Sequence, residues 1–448
     1  MRKTHTFVKT LISSVLLISA GEASAAAFQL AEISTVGLGR AYSGDAANAE
    51  NAAVVATNPA LMSLFNRPEI SIGAIYIDPK VDIKGKIGPF DASHKDIAPN
   101  AIAPNFYAVY PINDKFALGS GVNVNYGLAT DFDKDYNAGF FGGKTHLKTI
   151  NFNVSGSYRV LDNLTFGLGV NAIYADAQIE RHKGLVELSY YKKAQTLQQM
   201  AQATNDPATR AIMAKEALMT KNAADALSTL PKSTVLRRLE GKKWGLGWNA
   251  GLVYEFNKNN RVGLAYHSQV NIKFNGQYSD ELPAGLSQVN QAGSLTLPLP
   301  AYLEFSGYHK MTDKFAVHYS VKQTFWSKFK ELKAVGNTNN VLFQKTEKFK
   351  DSLKIALGAT YDVNEVLTLR TGIAYDESAA NDHKTISIPD TDRTWYSIGA
   401  TYKVTPNLDV DLAYAYVKGQ KNTFKEEGIP FSSTAKVNIY GLNVNYRF

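Results

Sequence analysis

With 448 residues the chain is long enough for two domains or one large barrel, and the absence of cysteine excludes thiol catalysis, redox chemistry and Cys-based metal sites together. Its formal charge of +8 comes from 48 basic and 40 acidic residues scattered along the chain, which argues against a nucleic-acid partner. Aromatic residues are abundant, with 24 Tyr and 22 Phe.

The first element in chain order is a targeting segment. Arg2, Lys3 and Lys9 flank the apolar run LISSVLLISA, and Ala23-Ser24-Ala25 closes it with a small-x-small cleavage site. Residues 1–25 therefore read as a secretory signal peptide, with the mature chain starting Ala26-Ala27-Phe28 at a charge of +6. No run of about 18 predominantly apolar residues follows, so a transmembrane helix is not indicated.

Residues 26–67 are rich in Ala, Gly, Asn and Ser and show little alternation. Within them, VATNPALMSLF has the grammar of a helix start: Asn58 as N-cap, Pro59 at the first helical position, then Ala60 and a short amphipathic turn. The first strand begins near Glu69–Asp78, and from there period-two patterning dominates. Phe166, Leu168, Val170, Ala172 and Tyr174 alternate with Gly167, Gly169 and Asn171. At the C-terminus, Tyr440, Leu442, Val444, Tyr446 and Phe448 share one face, while Asn443, Asn445 and Arg447 lie on the other. One such segment fits either a sandwich edge strand or a strand with lipid outside and a polar lumen inside.

The connections decide between these. Six short turns, among them Leu161-Asp162-Asn163 and Thr405-Pro406-Asn407, alternate with longer connections at 79–102, 128–145, 182–242, 277–292, 329–347, 379–392 and 422–433. Seven hairpins joined by six short turns make fourteen strands, and short turns on one side with long loops on the other are the asymmetry of outer-membrane barrels. The fold class is an all-β, 14-stranded antiparallel transmembrane β-barrel over residues 68–448, with a helical extracellular insert. That insert, 187–230, is broken by Asp206-Pro207; Leu197, Met200, Ile212, Met213, Leu218, Met219 and Leu227 make it either a greasy landing surface or a plain surface antigenic loop.

Hydrolase, P-loop and dinucleotide motifs are absent, and the eight His are dispersed without metal-ligand spacing. Nothing selects Ser306 or Ser397 as a nucleophile with His309. No enzyme activity, cofactor or metal is expected, and no energy-coupling motif precedes the barrel, so transport would be passive.

Several stretches also resemble a known family. AAFQLAEISTVGLGRAYSGDAA (26–47), NPAL (58–61), YIDP (76–79), NYGLAT (125–130), GWNAG (247–251) and SIPDTDR (387–393) resemble the outer-membrane long-chain fatty acid transporters of the FadL type, in order and spacing. The resemblance weakens in the helical insert and in 277–292. It implies that residues 26–67 form a hatch in the lumen. Hydrophobic substrates, either long-chain fatty acids or aromatic hydrocarbons, would be captured between extracellular loops, pass to a tighter interior site and leave sideways through a wall gap.

The gap is implied at a kink in the third strand, at Asn125-Tyr126-Gly127, although a strand Gly by itself is usually only a bend. The interior site is implied at Arg181, Lys345 and Arg393 as bases for a carboxylate, Asp376 as a tether for the Ala26 amine, and Phe28 as a mobile apolar gate. Alternation points Arg181, Asp376 and Arg393 into the lumen and leaves Lys345 undecided. An ordinary lumen charge network would look the same. A surface adhesin acting through its long loops is the reading from another class. Expected partners are the hydrophobic ligand and outer-membrane lipid, with the protein a monomer.

Overall fold

Period-two patterning exposes one face of each strand, and here that face points outward around a closed ring. The protein is described by a computed structural model covering residues 27–281 and 288–448; the signal peptide (1–25) and Ala26 lie outside the described residues. The strands are β1 (Glu69–Ile87), β2 (Ala101–Pro111), β3 (Phe116–Asn123 and Gly127–Asp131), β4 (Lys144–Leu161) and β5 (Leu164–His182). Next come β6 (Val235–Asn257), β7 (Asn260–His267 and Val270–Glu281), β8 (Gln288–Leu299 and Tyr302–Lys310) and β9 (Phe315–Thr324 and Glu331–Gly336). The ring is completed by β10 (Val341–Thr346 and Ser352–Asp362), β11 (Leu367–Asp376), β12 (Arg393–Thr405), β13 (Leu408–Gly419) and β14 (Ile429–Arg447).

Each strand pairs antiparallel with the next, and β14 returns to β1 in unbroken register from Glu69↔Arg447 to Gly85↔Phe431. Closure leaves no sheet edge to be satisfied by lipid, which cannot hydrogen-bond. The 14-stranded antiparallel barrel expected from the turn count is the observed fold. On β14 the expected faces appear: Tyr440, Leu442, Val444 and Tyr446 are exposed, while Ile439, Asn443 and Asn445 are buried.

Several stretches read as loops are strand. β1 runs on to Ile87, β3 to Asp131, residues 277–281 pair with 288–292, and 331–336 pair with 341–346. The physical reason is that backbone pairing continues beyond the lipid, where the alternation inverts: Val81, Ile83 and Ile87 are buried inward while Asp82, Lys84 and Lys86 alternate with them. Between β5 and β6 stand α-helices Val186–Ala203 and Pro207–Ser228, the second capped by Asp206, which accepts from the Thr209 N–H at 2.9 Å. Leu227 is buried, whereas Met200, Ile212, Leu218 and Met219 are exposed.

Residues 27–67 lie inside the ring, packed against its inner face. Pro59–Leu64 is a short 3-10 helix with Asn58 as its N-cap and Pro59 at its start, the helix start read from sequence. Asn58 is fully buried. Its Oδ1 accepts from the Ala60 N–H at 3.0 Å, and its Nδ2 donates to the Ala46 carbonyl at 2.7 Å and to Leu252 O of β6 at 3.3 Å. One side chain thus joins the turn, an earlier hatch loop and the wall. Further ties are ionic and polar. Arg370 of β11 donates to Glu50 at 2.8 Å, Arg40 pairs with Asp45 at 2.7 Å, and His318 Nδ1 meets Ser43 Oγ at 2.7 Å. Gly372 and Gly263 lie where the backbones of Arg40 and Ala46 cross the wall, leaving no room for a Cβ.

Asn58→Ala removes a cap and strands two buried partners, a loss on the order of 1–2 kcal/mol concentrated in the hatch. The expected result is increased leakage of small solutes through reconstituted protein with the barrel still folded; unchanged permeability would count against it.

Candidate ligand-binding site

The described chain begins by mending a break in the wall. β3 is interrupted at 124–126, and its ladder to β2 ends at Phe106↔Val122, so Ala101–Asn105 of β2 pair only with β1. Hatch residues take up the freed edge of β3. The Gly127 N–H donates to Phe28 O at 2.9 Å, and the Leu30 N–H donates to Asn125 O at 3.0 Å. Tyr126 is held by its hydroxyl, which donates to Pro300 O at 2.9 Å, and by its N–H, which donates to Thr149 Oγ1 at 3.1 Å. A Cβ on Gly127 would come 3.2 Å from Leu30 Cδ1, so a small residue suits this approach.

That pairing delivers the Phe28 side chain into an aromatic cage. Its ring meets Trp326 edge-on at 4.6 Å and Phe329 at 5.4 Å, with Tyr126 at 6.4 Å. Phe349 closes on Trp326 and Phe329 at 5.9 and 4.9 Å. Ile173, Ala175, Val270, Ile272, Leu299 and Ile388 belong to the same cluster, and Phe28 is only 2% exposed. T-shaped ring contacts at such separations add to the area they bury. Cavities beside the plugged cage measure about 50 Å³ around Gln29, Tyr126 and Tyr302, and about 20 Å³ around Ala27, Leu128 and Arg393. Both are well below the roughly 300–1,000 Å³ of ligand pockets.

Two of the four charged candidates border this apolar cluster. Ile173, Ala175, Ala177, Ile179 and Arg181 follow one another on the inner face of β5, with the first four in or against the cluster. Arg181 is buried; it donates to Lys144 O at 3.0 Å, Glu180 O at 2.9 Å and Thr145 Oγ1 at 3.1 Å. Lys345, undecided in the sequence, falls in β10 and donates to Ser387 Oγ at 2.9 Å while pairing with Glu426 at 3.4 Å. The charges that act on Arg181 are those of Glu426 and Glu347, opposed by Arg237, and among the described residues both Glu347 oxygens are buried without a hydrogen-bond partner. Arg393 belongs to a separate set, pairing with Asp376 at 3.4 Å and Asp390 at 3.5 Å. Asp376 is thus engaged by Arg393, its direct partner in the β11–β12 ladder; a tether to the Ala26 amine lies outside the described residues.

Sequence reading missed Trp326, Phe329, Phe349 and Glu347. The signal was present in Phe325-Trp326-Ser327-Lys328-Phe329, where three aromatics break the two-residue alternation and the strand turns into the lumen. The Ser–His possibility is not assembled: Ser306 Oγ bonds Glu304 at 3.0 Å and Ser320 at 2.7 Å, while His309 Nδ1 meets Asn260 Oδ1 at 2.9 Å.

Comparison with known proteins matches residues 16–448 to the family model described as outer membrane protein transport protein (OMPP1/FadL/TodX). The chain is 57% identical over 461 residues to the 47 kDa outer membrane protein of Pasteurella multocida, covering 100% of both. It is 43% identical over 468 residues to a long-chain fatty acid transport protein of Escherichia coli, again covering 100% of both. Among solved structures, a FadL homologue of Pseudomonas aeruginosa superposes with a TM-score of 0.78 at 22% identity, over 94% of this chain and 100% of that one. The toluene transporter TodX of Pseudomonas putida gives 0.68 at 15% identity, over 95% and 100%. These two likenesses establish the shared barrel.

Proposed function

Because the chain belongs to the OMPP1/FadL/TodX family of outer-membrane transport proteins, we propose that it carries long-chain fatty acids passively across the outer membrane by way of the cage that Phe28 occupies. The observation that carries this reading is the order of chemistry along β5 and β10: an apolar chamber lined by Ile173, Trp326, Phe329 and Phe349, bordered by Arg181 and Lys345. An alkyl tail gains roughly 0.8 kcal/mol per buried CH₂ in such a chamber. Its carboxylate, too costly to bury alone, gains a cation already desolvated by the protein.

In this scheme the ligand displaces Phe28. Phe28 is also bound through its carbonyl to Gly127, so withdrawal of its backbone, beyond movement of the ring, is the step that frees the edge of β3 at Asn125-Tyr126-Gly127. That step exposes the wall gap beside Ala101–Asn105, and release into the bilayer plane follows without energy input. Capture at the outer surface is assigned to the mouth beneath the helical insert, where Met200, Ile212, Leu218 and Met219 are exposed.

The rival within the same fold is an uncharged aromatic hydrocarbon, favoured by the rings of the cage; the cations at its border favour the acid. A strain lacking the gene should fail to accumulate labelled oleate until the gene is restored. Unchanged uptake in that strain, with no oleate bound by the purified barrel, would contradict the proposal.

A further inference from the structure

The wall is broken a second time, between β6 and β7. Their ladder runs to Asn249↔His267, is continued by the Ser268 N–H donating to Trp248 O at 2.9 Å and the Trp248 N–H donating to Ser268 Oγ at 2.9 Å, then stops and resumes at Gly241↔Gly276, so residues 242–247 stand against 269–275 without register. On the other side β8 is interrupted at Pro300–Ala301, and its pairing with β9 stops at Tyr302↔Thr324 and resumes only at Leu295↔Ala334. The arm between, Val270–Glu281 paired with Gln288–Leu299, is therefore released from both neighbours over its lower part. It is turned inward. Val270, Ile272, Leu297 and Leu299 are buried in the cluster around Phe28. Val270 and Ile272 press behind Gly245 and Gly247 of β6, where a Cβ on Gly247 would lie 2.6 Å from Val270 Cγ2.

The outer faces do not match. β6 presents Trp244, Leu246 and Trp248, with Leu246 80% exposed, and Trp248 stands 5.2 Å from Tyr266. Beside them the arm presents Asn271, Lys273 and Asn275, with Gln269 at its foot. Outward positions at hydrocarbon depth are apolar in a membrane barrel, and a lysine facing lipid there costs up to about 2–4 kcal/mol. A recess with a polar floor, an aromatic rim and a lysine suits a molecule with an anionic head and an apolar tail. The interruptions at Ser268–Gln269 and Pro300–Ala301 lie level with one another, and Pro300 supplies no N–H to a ladder. The Tyr126 hydroxyl bond to Pro300 O ties this level to the interruption in β3.

We propose that the β6–β7 recess is a second lateral port, closed here by Val270 and Ile272, through which a fatty acid exchanges between the outer leaflet and the Phe28 cage. The proposal rests on the reading that the cage takes a long-chain acid. Held at its foot near 268–269 and 300–301 and above by the resumed ladders at Gly276 and Leu295, the unpaired stretch bows away from β6, its polar outer face carries the head group, and Lys273 receives it near the outer end of the port.

The chain has no cysteine of its own, so a Gly247→Cys, Val270→Cys pair can be oxidised to hold the arm inward. The full protein in liposomes is irradiated with a diazirine-bearing oleate and the labelled residues are mapped. Reduced protein should be labelled at Gly245–Trp248 and Ser268–Lys273 as well as at Trp326 and Phe329, with the first two sets lost on oxidation. Val270→Ala with Ile272→Ala, which needs no cross-link, should raise labelling of the recess. Label absent from the recess in both the reduced pair and the alanine variant overturns the port. So does a recess labelled by a diazirine phospholipid but not by the oleate probe. Label missing from Trp326 and Phe329 in every form contradicts the interior site itself.

Discussion

Phe28→Ala is expected to tighten the binding of long-chain fatty acid rather than weaken it. In the ground state the Phe28 ring occupies the cage of Trp326, Phe329 and Phe349 and is almost wholly buried. Truncating such a ring costs a protein about 3–5 kcal/mol. Here that cost falls on the closed arrangement of the gate, which the ligand must undo. Apparent affinity equals intrinsic affinity reduced by the fraction of molecules already open. If about half of the packing energy separates closed from open, the alanine variant gains on the order of 1.5–2.5 kcal/mol, or about 10–70-fold in Kd. Titration of purified protein with oleate measures this directly. Weaker binding would show that the ring is a wall of the ligand's own pocket. The backbone bond from the Gly127 N–H to Phe28 O does not depend on the side chain, so the variant should keep its pairing with β3 and remain folded.

Arg181→Met should separate acid from hydrocarbon. The guanidinium is buried and already bonded to two backbone carbonyls and Thr145, so it is held in place before a ligand arrives. A hydrogen bond to a charged group is worth roughly 1.5–3 kcal/mol, which predicts a loss of about 10–150-fold in oleate affinity. The corresponding fatty alcohol, with the same tail and no charge, should change by less than about threefold, since methionine preserves most of the apolar stem. Equal losses for acid and alcohol would make Arg181 a structural residue of the mouth. Loss for neither would move the head group to Lys345, or favour the hydrocarbon reading.

Legibility from sequence followed the solvent. Where strands cross the bilayer, lipid on one side and lumen on the other impose strict alternation, so the outward aromatics of β14 and the inward aim of Arg181, Asp376 and Arg393 could be read directly. Beyond the bilayer the outward face turns polar while Leu332, Ala334 and Phe343 pack inward, so without a lipid-facing apolar stripe strand ends such as 331–336 and 341–346 passed for loop. Lys345 was undecided for that reason. Asn58 was legible as a cap because capping is local, but its bond to Leu252 O is not, since it depends on which part of the wall the hatch meets. The cage around Phe28 gathers residues from 28 to 388, a convergence that no spacing rule contains. Division of the charged candidates into two sets was also hidden, because parity says which way a side chain points and not which neighbour it meets.

The central claim is that a long-chain acid replaces Phe28 inside the barrel. It is tested most directly by a crystal structure of the protein soaked with a fatty acid brominated at its terminal carbon, with bromine located by anomalous scattering. Bromine is expected among Trp326, Phe329 and Phe349, with the carboxylate at Arg181 or Lys345 and Phe28 withdrawn from the cage. Bromine elsewhere, with Phe28 still packed against Trp326, would contradict it.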